Sequence, residues 1–182
     1  MRRMYFLFAF VTILFCSCEN NKVKSREDII KDNLKNYLSD KLNDPDSYEF
    51  VSLDLVDSVK YIDNINYRLD AFKKNIEWCK SSDRSEGDKL NEIKKNEWII
   101  EKIDSIKISL GENVNKLLAS KYILKFRANN SLGAKIIYSY FLLVDGENKI
   151  IQMEDNADRI YILNTISFPG YMELIEKYKI WE

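Results

Sequence analysis

The chain has no histidine, two prolines, five glycines and three cysteines in 182 residues. The missing histidine removes the side chain most used as a general base near neutral pH. With it go the Ser/His and Cys/His nucleophile systems and the common zinc sites. Neither sign of charge dominates, because 28 Lys and Arg stand against 29 Asp and Glu. There is therefore no global basic surface of the kind nucleic-acid binding needs. No Walker loop, dinucleotide fingerprint, G-x-S-x-G elbow or CxxC occurs. What remains is a globular composition, 46% hydrophobic and 31% charged, of a length suited to one domain.

Residues 1–18 read MRRMYFLFAFVTILFCSC. Two arginines, an apolar run from Met4 to Phe15 and the small residues Ser17 and Cys18 make the tripartite pattern of a secretory signal. At ~1.5 Å per residue, a run of about twelve residues is too short to cross a hydrocarbon core of ~30 Å, so cleavage is expected. With Leu14 four places before Cys18 and Ser17 directly before it, the segment resembles a bacterial lipoprotein signal, although Phe15 stands where an aliphatic residue is usual. The resemblance implies a signal peptide over 1–17 and a lipid-modified (palmitate-bearing) Cys18. The protein would then be anchored in the cell envelope, at the periplasmic face or the outer surface. Residues 18–25 would be lipidated cysteine and polar tether, and 26–182 a single α+β domain. Cys16 would leave with the signal and Cys18 would carry lipid, so Cys79 stands alone. No internal disulfide is expected, and stability must come from the core.

Ser25 followed by Glu27 and Asp28 is an N-cap with acids in the first turn. Ile30, Leu34, Tyr37, Leu38 and Leu42 then recur at helical spacing, predicting a helix over 26–42. Pro45 stops it. A strand is predicted over 48–57, where Val51, Leu53 and Leu55 alternate with polar residues, and the phase slip between Phe50 and Val51 marks a bulge. Between about 62 and 110 the period returns to helical. Ile62, Ile65, Leu69, Phe72, Ile76 and Cys79 form one seam; Leu90, Ile93, Ile100, Ile103 and Leu110 form another, with Glu97 interrupting it and Trp98 or Ile99 taking up the contact. This is a helical hairpin inserted into the domain. Tyr122–Phe126, Ile136–Leu142 and Lys149–Met153 read as a three-strand meander, and Ile160–Leu163 as a possible further strand. Pro169 and Gly170 precede a short helix over 171–178. The fold expected is α+β: N-terminal helix and strand, helical insertion, C-terminal antiparallel meander, cystatin-like or a related wrapped sheet.

Two stretches, YLSDKLNDPDSYEFVSLDLVDS and YILKFRANNSLGAKIIYSYFLLVDGENKI, are similar to segments of small lipoproteins and secreted proteins of gut anaerobic bacteria. There a helix ends in D-P-x-S-Y-E and a strand carries R-x-x-N-x-x-G. The matching residues here are Asp44, Pro45, Ser47, Tyr48 and Glu49, then Arg127, Asn130 and Gly133. The resemblance covers about 50 residues and leaves the helical insertion unmatched. It implies a class and a compartment, and no reaction.

Both elements have architectural readings. Asp44 can accept amides at the helix end, while Asp46 or Ser47 turns the chain. A calcium site from Asp44, Asp46 and Glu49 is disfavoured, since such loops supply six or more oxygens and the EF-hand glycine is missing. No metal or cofactor is expected. Gly133 and an asparagine suit a left-handed turn, and Arg127 can pair with a carboxylate or an anionic ligand. Cys79 on the helical seam reads as a small buried hydrophobe. The aromatics Tyr138, Tyr140, Phe141, Trp78, Trp98 and Trp181 suit core packing first, and a carbohydrate or peptide groove second. No spacing singles out a carboxylate pair for glycoside chemistry.

The expectation is an envelope protein whose role is binding an envelope protein partner, or assembly, and not catalysis. Arg127, Asn130, Tyr138 and Tyr140 are the candidate ligand- or partner-binding residues. The alternatives are a carboxylate-dependent hydrolase acting on envelope or dietary polymers and a small-ligand carrier.

Overall fold

The computed structural model describes residues 24–179. The expected signal, Cys18 and most of the tether lie outside the described residues, as does Trp181.

Helix α1 (Arg26–Ser39) starts where the capping signal predicts. The Ser25 hydroxyl accepts from the Asp28 amide and the Asp28 carboxylate accepts from the Ser25 amide. The Ser25 hydroxyl, 2.7 Å from the Asp28 carboxylate, and after it the Ser25 amide hold the Asp28 carboxyl below its ordinary range. The helix ends three residues earlier than its periodicity predicts, because the amides of Lys41 and Leu42 both turn back to the Leu38 carbonyl. Its apolar stripe, Ile30, Leu34 and Leu38, is fully buried on one face of a four-stranded antiparallel sheet.

The sheet runs in sequence order: β1 (Glu49–Lys60), β2 (Leu117–Asn129), β3 (Lys135–Asp145) and β4 (Ile150–Glu154). Strict alternation on β2 sends Tyr122, Leu124, Phe126 and Ala128 towards α1 and leaves Lys125 and Arg127 on the outer face. The predicted bulge lies where the phase slips, with Val51 left out of the pairing between Phe50 and Ser52. A second bulge omits Val56. The β3–β4 turn shows two different uses of small residues. Asn148 takes the left-handed conformation, φ 70°, while Gly146 is demanded by proximity, since a Cβ there would lie 2.4 Å from the Leu117 carbonyl oxygen.

Helices α2 (Tyr61–Ser81) and α3 (Glu86–Leu110) form the inserted hairpin between two strands that are themselves neighbours. Its base is closed by the Tyr61 amide donating to the Lys116 carbonyl. The seam on α2 follows the sequence pattern through Ile65, Leu69, Ile76 and Cys79, all buried. On α3 it does so only in its second half, where Ile103 is buried and Ile100 and Leu110 pack half-buried on the same core. Leu90 is 54% exposed, and the other buried positions are Asn96 and Ile99. Asn96 is tolerated there because its amide donates to the Glu92 carbonyl and its oxygen accepts from Asn75 on the facing helix. A polar residue thus occupies the contact that hydrophobic counting gave to its neighbours, and Ile99 makes the contact that Glu97 cannot.

Beyond Glu154, the last residue of β4, residues 155–168 do not extend the sheet. After β4 the chain makes a 3₁₀ turn (Ala157–Arg159), capped by Asn156, and a single helical turn α4 (Ile162–Thr165). Ile160 and Ile162 bury themselves on Val59, Ala119 and Leu143, on the outer face at the end where the hairpin emerges. The strap is then pinned to α2. Asn64, fully buried, donates to the carbonyls of Leu163 and Ile166 and accepts from the Phe168 amide; Arg68 donates to the Leu163 carbonyl. Phe168 and helix α5 (Tyr171–Lys179) complete the hairpin's core through Tyr171 and Leu174. That core contains no buried sheet residue, so the strap joins two packed bodies.

Asn64→Ala strands the Ile166 carbonyl and the Phe168 amide in the interior, while Arg68 still meets the Leu163 carbonyl, and should lower stability by on the order of 2 kcal/mol in urea unfolding; a loss below about 0.5 kcal/mol would show the strap to be held without it. Gly146→Ala should destabilise more than Asn148→Gly in the same assay, because only the former drives a side chain into backbone.

Candidate functional site

The two sequence elements shared with the gut-bacterial proteins meet at one end of the sheet, the end of the β2–β3 turn. The Asp44-Pro45-Asp46-Ser47 junction forms a 3₁₀ turn whose Ser47 hydroxyl donates to the Asp44 carbonyl, 2.6 Å, and accepts from the Asn129 amide, 2.8 Å. The Asp44 carboxylate accepts from the Asn129 side chain, 2.7 Å. The junction therefore docks the end of β2 back onto the end of α1. Glu49 pairs with Lys135 across the sheet end. Two of the three acids weighed as calcium ligands are thus spent on structural contacts.

The four candidate binding residues do not converge. Asn130 is a turn residue: its side-chain oxygen accepts from the amides of Leu132 and Ala134, while Gly133 alone takes the left-handed conformation in that turn. Arg127 stands exposed on the outer face beside Glu49. Tyr138 and Tyr140, one residue out of phase with the Ile137 that pairs with Arg127, lie on the α1 face. There they stack on Phe126, with centroids at 5.2 and 6.0 Å and interplanar angles of 20° and 14°. Both stay half-buried because α1 ends before it reaches them.

That early end leaves a cleft of 170 Å³ whose walls include Leu38, Leu42, Phe126, Tyr138, Tyr140 and Met153. Beneath it, Tyr48 packs on Phe126 at 5.5 Å, and its hydroxyl is buried without a hydrogen-bond partner among the described residues. Burial pushes the Tyr48 phenol above its ordinary pKa.

Directly beside the cleft the sheet has an open edge. β4 pairs with β3 only from Phe141 to Val144, so the stretch from Lys135 to Tyr140 has β2 on one side and, among the described residues, no strand on the other. The Asn130 amide donates to the Ala134 carbonyl. Antiparallel alternation from that bond makes Ala128–Ile136, Phe126–Tyr138 and Leu124–Tyr140 the hydrogen-bonded pairs. The backbone N–H and C=O of Ile137 and Ser139 therefore point away from the sheet. Side chains here are also bare: Leu132 is 89% exposed, Ile137 60% and Ile136 40%. Sequence periodicity does not reveal this edge, since β3 reads as a full-length strand; the signal lies in the unequal lengths of β3 and β4.

Other concavities offer less chemistry. One of 500 Å³ is lined by Tyr61, Lys116, Asp145, Glu147 and Ser167 among others, and Asp145 there accepts the turn amides of Glu147 and Lys149. Trp98 belongs to the hairpin–α5 cluster. Trp78 is exposed with Arg84 stacked 4.6 Å over its ring, and Cys79 is buried. No protein-family model, curated protein or solved structure matches the chain.

Tyr48→Phe removes an unpartnered buried hydroxyl and should leave stability unchanged or raise it by up to about 1 kcal/mol in urea unfolding; a loss above that size would reveal a partner for the phenol. Lys135, with Arg127 adding to it, holds the Glu49 carboxyl below its ordinary 4.5. The stabilisation from this pair is present above the unfolded glutamate's pKa and is lost as pH falls through the lowered folded value. Glu49→Gln should therefore flatten stability against pH between about 5 and 3, as followed by thermal melts.

Proposed function

We infer that the chain is a protein-interaction or assembly module of the cell envelope, held to the membrane by lipid on Cys18. The observation that supports an interaction role is the set of exposed apolar side chains around the end of the sheet, Leu132, Ile136 and Ile137, with Ile136 on the α1 face and Ile137 on the outer face. Apolar side chains left bare on an unpaired strand are costly to leave in water unless something covers them.

The position of these side chains agrees with a tethered role. Arg26, at the start of α1, donates to the Asp145 carbonyl in the β3–β4 turn, so the chain enters the domain at one end of β3. The exposed side chains lie at the other end, a strand's length of roughly 35 Å away at ~3.3 Å per residue. A domain anchored through Cys18 would present that end away from its point of attachment.

A small-ligand carrier with its pocket between α1 and the sheet finds less support. The interface between α1 and the sheet is filled by Ile30, Leu34, Leu38, Leu124 and Leu142, and the cleft left at its end is smaller than the ~300–1,000 Å³ typical of small-molecule sites.

Cys18→Ala should move the full chain from the membrane to the soluble fraction; a processed Cys18→Ala protein that still sediments with membranes sinks the lipid anchor. A photo-crosslinking residue at position 132 should capture a specific envelope protein in cells, and the yield should fall in the Cys18→Ala background. If a folded, membrane-bound chain gives no crosslink from position 132 while one at Asp83, on the hairpin tip, captures a partner, this end of the sheet is not the binding surface.

A further inference from the structure

We propose that the bare edge of β3 takes an extended segment of a partner protein as an added strand, seating one large apolar side chain in the neighbouring cleft. This deepens the interaction reading above and rests on it.

Backbone geometry identifies the kind of occupant. Past Glu154, which pairs with Phe141, the chain bends away, so the space alongside residues 135–140 continues the line of β4. The groups facing that space are the N–H and C=O of Ile137 and Ser139, spaced as a strand partner requires. A helix cannot satisfy them, because its own backbone groups are already paired internally. An extended peptide can.

Side-chain geometry narrows the occupant further. Partner residues lying opposite Tyr138 and Tyr140 share their face of the sheet, the face of the cleft, where Met153 already occupies the equivalent position on β4 opposite Leu142. The cleft's 170 Å³ is close to the ~150 Å³ of an apolar cavity that holds a benzene ring. It therefore takes a phenylalanine- or leucine-sized group, with Lys41 and Asn43 at its wall. Main-chain pairing with a pocket for alternate side chains is the pattern of peptide recognition by strand addition.

The longer open edge, on β1, fits this role less well. It is broken by bulges at Val51 and Val56 and carries Glu49, Asp54 and Asp57, all exposed. Bulges and charges are the devices that blunt an edge against pairing. The 135–140 stretch pairs with β2 without a register shift.

The probe is a heptapeptide selected from a random phage-displayed library against the full chain in detergent, with hydrogen exchange read by NMR. The free protein should exchange the Ile137 and Ser139 amides quickly and the Ile136 and Tyr138 amides slowly. Bound peptide should protect the first pair at least tenfold. Ile137→Pro removes a donor that β2 does not use, and should weaken binding at least tenfold, while Ile137→Val should not. Should Ile137→Pro fail to fold, N-methylation scanned along the peptide decides: loss of binding at alternate residues only is the mark of strand pairing. Peptides that bind with no protection at Ile137 and Ser139, or with no alternation in the N-methyl scan, overturn strand addition and leave the interaction reading standing. If the library yields no binder, the strand-addition proposal falls, and the crosslink from position 132 judges the interaction reading separately. Protection of both amides without peptide assigns the edge elsewhere. If it depends on protein concentration, the occupant is a second copy; if it does not, it is a segment of the same chain. Either overturns a foreign partner strand.

Discussion

The pairing of Lys60 with Leu117 is the constraint on which the architecture depends. It requires the two ends of a long insertion, residues 61–116, to return to within one strand spacing of each other, ~4.8 Å. Helices packed side by side stand 8–10 Å apart, so an antiparallel helical hairpin does not by itself deliver its ends at that separation. The mismatch is absorbed after α3, where Gly111 adopts φ 50° and a 3₁₀ turn through Asn115 carries the chain sideways to the Lys116 carbonyl that meets the Tyr61 amide. The entropy of closing such a loop grows only slowly with its length, which is why neighbouring strands can tolerate a whole helical body where a short turn would serve.

The insertion creates a second problem, since a hairpin attached only at its base buries little against the sheet. The C-terminal strap resolves it. Ile160 and Ile162 lie on sheet residues, and a few residues later Phe168, Tyr171 and Leu174 lie on hairpin residues. Between them the backbone crosses the top of α2, where its polar groups would lose water, and Asn64 and Arg68 supply the missing partners. A buried amide that meets three backbone groups at once costs far less than three unpaired groups. Sheet, hairpin and strap thus stand or fall together in this part of the chain.

How much of this was legible in the sequence depended on whether the determining interaction was local. The Ser25 cap, the bulge at Val51 and the left-handed turn at Gly133 are set by residues within a few positions of each other, and all were readable; the end of α1 was not, since the chain turns at Leu38–Leu42, before Pro45 is reached. Only the first half of the α3 seam was misplaced, because Asn96 is buried by virtue of Asn75, twenty-one positions away. Ile160–Leu163 read as a strand because β-branched residues signal burial on a sheet, which is true of Ile160 and Ile162; their backbone, however, crosses the sheet instead of joining it. The split of Arg127 from Tyr138 and Tyr140 follows from strand parity, and parity across the hairpin needs the register of the β2–β3 turn, which composition alone does not set. The open edge is the least legible feature, because it is made by what β4 does not reach.

That shortfall of β4 has a physical origin within the chain. Ile151 is skipped in the pairing, between Gln152 opposite Leu143 and Ile150 opposite Val144. A bulge adds twist and bends a strand, and this one sits one paired residue after the tight Asp145–Lys149 turn, so the whole of the remaining pairing is turned by it. After Glu154 the chain must also leave the sheet plane at once, since Ile160 has to reach Leu143 on the outer face. A longer β4 would cover Ile137 and Ser139, but it would carry the chain too far along β3 to bring Ile160 back over Leu143 within the same few residues. The strap that binds the hairpin to the sheet and the edge left bare beside the aromatic cleft are therefore two consequences of one early exit.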